Sequence, residues 1–142
     1  MSVFSAMSIS ASGLTAQRLR MNVISQNIAN AGTTRTDEGT PYRRRAVVFQ
    51  SVSQDFSSYL SNETQKAGGV RAVAIVDDPS PLKRVYDPEH PDADQDGYVE
   101  LPNVDTTKEM IDMISASRSY EANVTAFNAA KAMALKALEI GR

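Results

Sequence analysis

Cysteine and tryptophan are missing from this chain, and histidine occurs once in its 142 residues. Without Cys there is no disulfide framework, thiol nucleophile or cysteine-bound zinc. The lone His90 excludes a multi-histidine metal site. Aromatic residues reach 6%, and no apolar run approaches the roughly 18 residues of a membrane span. Net charge is only -2, so nothing in the total favours a nucleic-acid partner. Acid is absent from residues 1–36, where Arg18, Arg20 and Arg35 stand alone. Residues 77–105 reverse this, with nine acids against Lys83 and Arg84. A basic start and an acidic centre can attract between neighbouring copies, although solvated faces give the same pattern. The length suits one small domain or a core with long extensions.

Three zones follow from the pattern: 1–36, 37–104 and 105–142. The spacing predicts a helix from Val3 to Asn30. Met7, Leu14, Met21 and Ile28 recur every seventh residue, with Ala11 and Ile24 beside that line. Asn30-Ala31-Gly32 supplies a stop, because Asn and Gly tolerate the left-handed conformation that ends helices. The apolar stripe is thin and flanked by Ser, Thr15, Gln17 and Arg18. Such a helix buries too little to offset its ordering entropy, so residues 1–30 are expected to be poorly ordered until another helix covers them. Asn27 and Asn30 at its end suit backbone capping or a bridge between subunits.

The prolines gather between Pro41 and Pro102 and keep that chain extended or turning. β-like runs lie between them at residues 42–52, 70–76, 82–86 and 98–101. This reads as a small irregular β module. In the last zone, Thr106-Thr107-Lys108-Glu109 fits a capping box, with a Thr hydroxyl at the N-cap and Glu three residues on. Met110, Met113, Ser117, Tyr120, Val124, Phe127, Lys131, Ala134 and Leu138 then alternate steps of three and four. That is a coiled-coil-like seam with polar breaks, stopped by Gly141. A helix of about 34 residues is about 50 Å long, too long for a globule of this size to cover. The expected class is α+β: long N- and C-terminal helices packed as a coiled-coil-like pair, with a β-rich centre.

Chemistry has little support. Asp92-Ala93-Asp94-Gln95-Asp96-Gly97 begins like a calcium loop, but position twelve is Asn103 instead of the bidentate Glu. A calcium-binding adhesion or signalling module using this turn is the rival reading. His90 lies in an acidic loop with no defined nucleophile, which leaves a hydrolase as a second rival. Arg43-Arg44-Arg45 would alternate across a strand, which suits a polar strand edge or an inter-subunit salt bridge better than one basic patch. No phosphate loop, dinucleotide fingerprint or paired-carboxylate motif is present, so no cofactor is expected. The serine-broken start does not read as a cleaved secretory signal.

Two segments resemble a known family. Ser12-Gly13-Leu14-Thr15-Ala16-Gln17, followed by Ser25-Gln26-Asn27-Ile28-Ala29-Asn30-Ala31-Gly32-Thr33-Thr34, resembles the N-terminal signature of bacterial flagellar rod, hook and related axial proteins. Ser115-Ala116-Ser117-Arg118-Ser119-Tyr120-Glu121-Ala122-Asn123 resembles the matching C-terminal signature. Between them, Tyr42-Arg43-Arg44-Arg45, Val85-Tyr86-Asp87-Pro88-Glu89-His90-Pro91-Asp92-Ala93-Asp94, Gly97-Tyr98-Val99 and Leu101-Pro102-Asn103-Val104 are similar to the proximal-rod members. The resemblance implies a non-enzymatic basal-body subunit that leaves the cytoplasm through the flagellar type III export apparatus without a cleaved signal. It implies assembly in the periplasm as a homo-oligomer, with other rod proteins and the membrane-proximal adaptor FliE as partners. It also implies that the terminal helices pack with each other and with neighbours. The residues expected to carry this are Met7, Ala11, Leu14, Met21, Ile24, Asn27, Ile28 and Asn30 on the first helix. On the last they are Met110, Met113, Ser117, Tyr120, Val124, Phe127, Ala134 and Leu138.

Overall fold

The computed structural model describes residues 3–52 and 68–140. Helix α1 spans Val3–Ala29 and helix α2 spans Thr106–Ile140. Between them come strands β1 (Arg45–Ser51), β2 (Val70–Asp77), β3 (Lys83–Tyr86) and β4 (Tyr98–Leu101). This is the expected α+β arrangement. The stop expected at Gly141 lies outside the described residues.

α1 and α2 pack along their length and run antiparallel. Asn27 near the end of α1 meets Glu109 near the start of α2. Gly13, two heptads earlier, faces Asn123, two heptads later, so closely that a Cβ on Gly13 would lie 2.9 Å from the Asn123 side chain. α1 is therefore covered by α2 of the same chain. Its buried residues are Ser10, Ala16, Val23, Ile24 and Asn27. The core is small, because many of these side chains are small or polar. Ala116 and Ala130 on α2, with Tyr42, Val99 and Val104 from the centre, complete the buried apolar set.

The ends of both helices are fixed by side chains. Asn30 accepts from the Thr33 hydroxyl and donates to the Gln26 carbonyl, closing α1. At α2, the expected capping box gives way to an Asp cap. Asp105 Oδ1 accepts from the amides of Thr107 and Lys108 at 3.0 and 3.3 Å. Asp is as good an N-cap as Ser or Thr, and it frees Glu109 for a different task.

β1 and β2 form an antiparallel pair from Arg45↔Asp77 to Ser51↔Val70, with a bulge between Val48 and Phe49. The start of β2 lies against α1, where the Ser12 hydroxyl accepts from the Val70 amide at 3.2 Å. β3 and β4 form a second antiparallel pair, Lys83↔Leu101 to Tyr86↔Tyr98. The Tyr86 and Tyr98 rings meet edge to face, 5.3 Å between centroids. The connecting loop closes at Gly97, whose φ of +78° favours glycine.

Candidate functional site

Within the described residues, the most heavily bonded polar cluster sits where α1, β1 and α2 converge. Asn27 and Glu109 are both 0% exposed. The Asn27 carboxamide uses both donors and its acceptor oxygen twice. Nδ2 donates to the Arg45 carbonyl and to Glu109 Oε2, each at 2.9 Å. Oδ1 accepts from the Tyr42 hydroxyl and the Arg45 amide, each at 2.9 Å. Asn27 thus serves the backbone of the first β1 residue as an adjacent strand would. A buried amide satisfied in this way carries no desolvation debt.

Glu109 Oε1 accepts from Arg44 Nε at 2.7 Å. The same guanidinium approaches Asp78 at 3.6 Å and Asp112 at 3.7 Å. Asp112 also pairs with Arg20 of α1 at 3.2 Å. The Arg44 amide donates to Asn103 Oδ1 at 2.8 Å, and Asn103 donates onward to the carbonyls of Asp78 and Ser80. Burial alone would lower the Arg44 pKa. The Glu109 hydrogen bond and the charges of Glu109, Asp78 and Asp112 outweigh it, so the value rises. Burial pushes the Tyr42 phenol up, and Asp77 and Glu109 add to this against Arg45. Both shifts move away from neutrality, Arg44 staying charged and Tyr42 neutral.

The three consecutive arginines divide as strand alternation demands. Arg44 turns into the junction. Arg43 reaches the carbonyls of Asp78 and Ser80, and Arg45 pairs with Asp77 at 3.3 Å. Their partners lie within the chain.

The residues expected on the packing faces fall into three groups. Ile24 and Asn27 are buried. Met7, Leu14, Met21 and Ile28 on α1 and Asn30 just past its end are half-buried, as are Met113, Ser117, Tyr120, Val124, Phe127 and Ala134 on α2. Ala11, Met110 and Leu138 are exposed in the single chain. The α1–α2 seam keeps Met113, Tyr120, Phe127 and Ala134. Between them it takes Glu109, Ala116, Asn123 and Ala130, one position away from Met110, Ser117, Val124 and Lys131. The small side chains of Ala116 and Ala130 let the helices approach closely; Met110 and Lys131 are exposed, whereas Ser117 and Val124 stay half-buried.

What falls outside is apolar. Met110, Ile111 and Ile114 lie together at the start of α2, with Ile111 63% exposed. Phe4, Met133, Leu135 and Leu138 lie at the opposite end of the pair, where Phe4 is 77% and Leu138 72% exposed. Among the described residues, sixteen large hydrophobic side chains are exposed, against eight apolar residues buried. Patches of this kind mark interaction surfaces.

In the turn at residues 92–97, the Asp92 and Asp94 carboxylates are engaged. Asp94 accepts from the amides of Asp96 and Tyr98 and pairs with Arg84 at 3.0 Å. The Tyr98 amide is the largest of several influences holding its pKa below the usual carboxylate range. Asp92 takes the Thr34 hydroxyl at 2.7 Å and approaches Arg35 at 3.7 Å. His90 Nδ1 accepts from the Asp92 amide at 3.1 Å, a turn-forming contact. An open cavity of about 600 Å³ beside this turn is lined by Arg35, Pro41, Asp92, Asp94, Tyr98 and Glu100 among others, with no histidine.

Sequence comparison agrees with the architecture of a helix at each end. Residues 7–35 match the family described as "Flagella basal body rod protein". Residues 95–140 match "Flagellar basal body rod FlgEFG protein C-terminal". The chain belongs to the flagellar basal-body rod family, a family of structural proteins. Its full-length relatives narrow this further. It is similar to the flagellar basal-body rod protein FlgC of Bacillus subtilis, 51% identical with 100% of each chain covered. It is also similar to FlgC of Borreliella burgdorferi, 50% identical over 99% of this chain and 98% of that one. FlgC of Yersinia enterocolitica is 45% identical with both chains covered completely.

Proposed function

We propose that this chain is a structural subunit of the proximal rod of the flagellar basal body, polymerising through its terminal helices to carry torque from the motor to the distal rod and hook. The observation that carries the mode of assembly is the exposed apolar patch at each end of the self-packed pair. Two helices that have already covered one another still present Met110, Ile111, Ile114, Phe4 and Leu138 to water. Burying a side chain of this size is worth about 1.5–3 kcal/mol, so neighbours that cover these faces gain strongly. In this reading, residues 1–36 and 105–142 are the axial segments, and residues 37–104 form the outward β-rich module. The half-buried Met7, Leu14, Met21, Ile28 and Val124 flank the seam and extend each face.

Copies of itself and other rod proteins are the partners such faces fit, and FliE is the partner at the membrane-proximal end. The route is the flagellar type III export apparatus, to the periplasm, without a cleaved signal. Two features favour that route. The chain has no cysteine to lock it, and its buried apolar set is small enough to unfold at low cost.

Ile111→Lys with Ile114→Lys tests this reading. Both side chains are exposed, so the single chain should keep its helix content and its Tm within about 2 °C. Rod assembly and swimming should be lost. Full motility with both lysines in place would refute the assigned faces.

A further inference from the structure

We propose that the buried pair Asn27–Glu109, together with Gly13 facing Asn123, sets the register of the antiparallel helix pair. Residues 30–105 lie between α1 and α2, so no short turn dictates how far one helix slides along the other. The seam itself repeats every seven residues. Along α2 run Glu109, Ala116, Asn123 and Ala130. Along α1, in the opposite direction, run Asn27, Arg20, Gly13 and Ala6. A slide of seven residues, about 10 Å, restores the same spacing. Apolar packing alone therefore leaves several alignments close in energy.

One such slide is attractive. It brings Arg20 opposite Glu109 and Gly13 opposite Ala116, combining an ion pair with two small residues. Arg20 already lies within a turn of that position, bonded to Asp112. Two features oppose the slide. Asn27 would face Pro102 in one direction and Ala116 in the other, and would lose its bond to Glu109 in both. A buried polar side chain deprived of a partner is costly, which is how polar seam residues fix coiled-coil alignment. The second feature is steric. Asn123 is accommodated because Gly13 has no Cβ; an added one would lie 2.9 Å from Asn123 Oδ1. Sliding either way brings Ala6 or Arg20 to that place. Arg44 completes the arrangement by occupying the other Glu109 oxygen, leaving less room for a competing Arg20.

The register rests on contacts within one chain. Its bearing on assembly rests on the proposed function, because a slide of about 10 Å would move Ile111 and Ile114 relative to α1 and to the β1–β2 pair packed on it. The test reads the single chain, so its failure is distinct from failure of the rod assignment. Because the chain lacks cysteine, Ser25→Cys and Thr125→Cys place two spin labels on exposed helix positions. In the observed register these sites are offset by about 21 Å along the pair, and a one-heptad slide changes that to about 10 or 31 Å. Pulsed electron paramagnetic resonance on the labelled full chain should give one distance. Asn27→Leu with Glu109→Leu, and separately the same pair with Asn123→Ala, should add a second population displaced by about one heptad. The proposal stands only if at least one variant that keeps its helical circular dichroism shows this second distance. The native distance alone in every folded variant overturns it. Loss of helix in both variants also overturns it, since the residues would then serve stability instead of alignment.

Discussion

Glu109→Ala removes an acceptor from two side chains at once. Arg44 Nε loses a 2.7 Å bond and Asn27 Nδ2 loses a 2.9 Å bond. Breaking a buried ion pair from one side costs about 3–5 kcal/mol, because the remaining charge stays desolvated. Here the remaining charge is partly provided for. Arg44 is 22% exposed in its side chain and keeps Asp78 at 3.6 Å and Asp112 at 3.7 Å. The lower end of the range therefore applies, about 3 kcal/mol. At about 3 °C per kcal/mol for a chain of this length, Tm should fall by about 9 °C. The urea midpoint should fall by about 1.5 M at an m-value of about 2 kcal/mol/M. Glu109→Gln keeps the volume and one acceptor oxygen, so its loss should be smaller. Urea unfolding followed by circular dichroism reads both variants. A loss below about 1 kcal/mol for Glu109→Ala would show that Arg44 finds equal compensation elsewhere and would refute the junction's energetic role.

Other outcomes follow from single contacts. Among the described residues, Gln17 Oε1 is buried with no hydrogen-bond partner, so Gln17→Leu should stabilise the chain by about 1 kcal/mol; a destabilised variant in the same urea assay contradicts this. Gly97→Ala should cost about 1–2 kcal/mol, because alanine pays for a left-handed φ, and its Cβ would meet Tyr86 at 3.0 Å and Pro88 at 3.2 Å. Wild-type stability in thermal melts would argue against that strain. Asp94 is held below its usual pKa, first by the Tyr98 amide. Its stabilising effect is therefore complete above the unfolded value of about 3.9 and lost as pH falls through the lower folded value. Asp94→Asn should flatten that acid limb of the Tm–pH curve, and an unchanged limb would be inconsistent with the assignment.

Much of the fold was legible because local signals agreed. The α1 pattern reached from Val3 to its Asn30 stop, and residues 98–101 were marked as a strand that proved to be β4. The seam was only half legible, for a geometric reason. Starting from Met113, Tyr120 and Phe127, an alternation of three and four is satisfied by Met110, Ser117 and Val124. It is equally satisfied by Glu109, Ala116 and Asn123. Apolarity favours the first row, whereas the close approach at Gly13 selects the second. Close approach between segments far apart in sequence leaves no trace in a local window. The same holds for the junction. Glu109 looks like a capping residue until Asp105 is seen to cap α2. Arg44 looks like one of three equivalent arginines until its partner on α2 is in view. An acid at a seam position, with an arginine-rich strand elsewhere in the chain, was the available signal. Asn27 was singled out on α1, and its partners Tyr42 and Glu109 came only with the tertiary structure.

Electron cryo-microscopy of basal bodies isolated from cells that produce this chain tests the central claim most directly. The expected map shows α1 and α2 as an antiparallel pair in the proximal rod wall, with Met110, Ile111 and Ile114 covered by adjacent subunits. A rod that lacks this chain, or that leaves those side chains facing solvent, would contradict it.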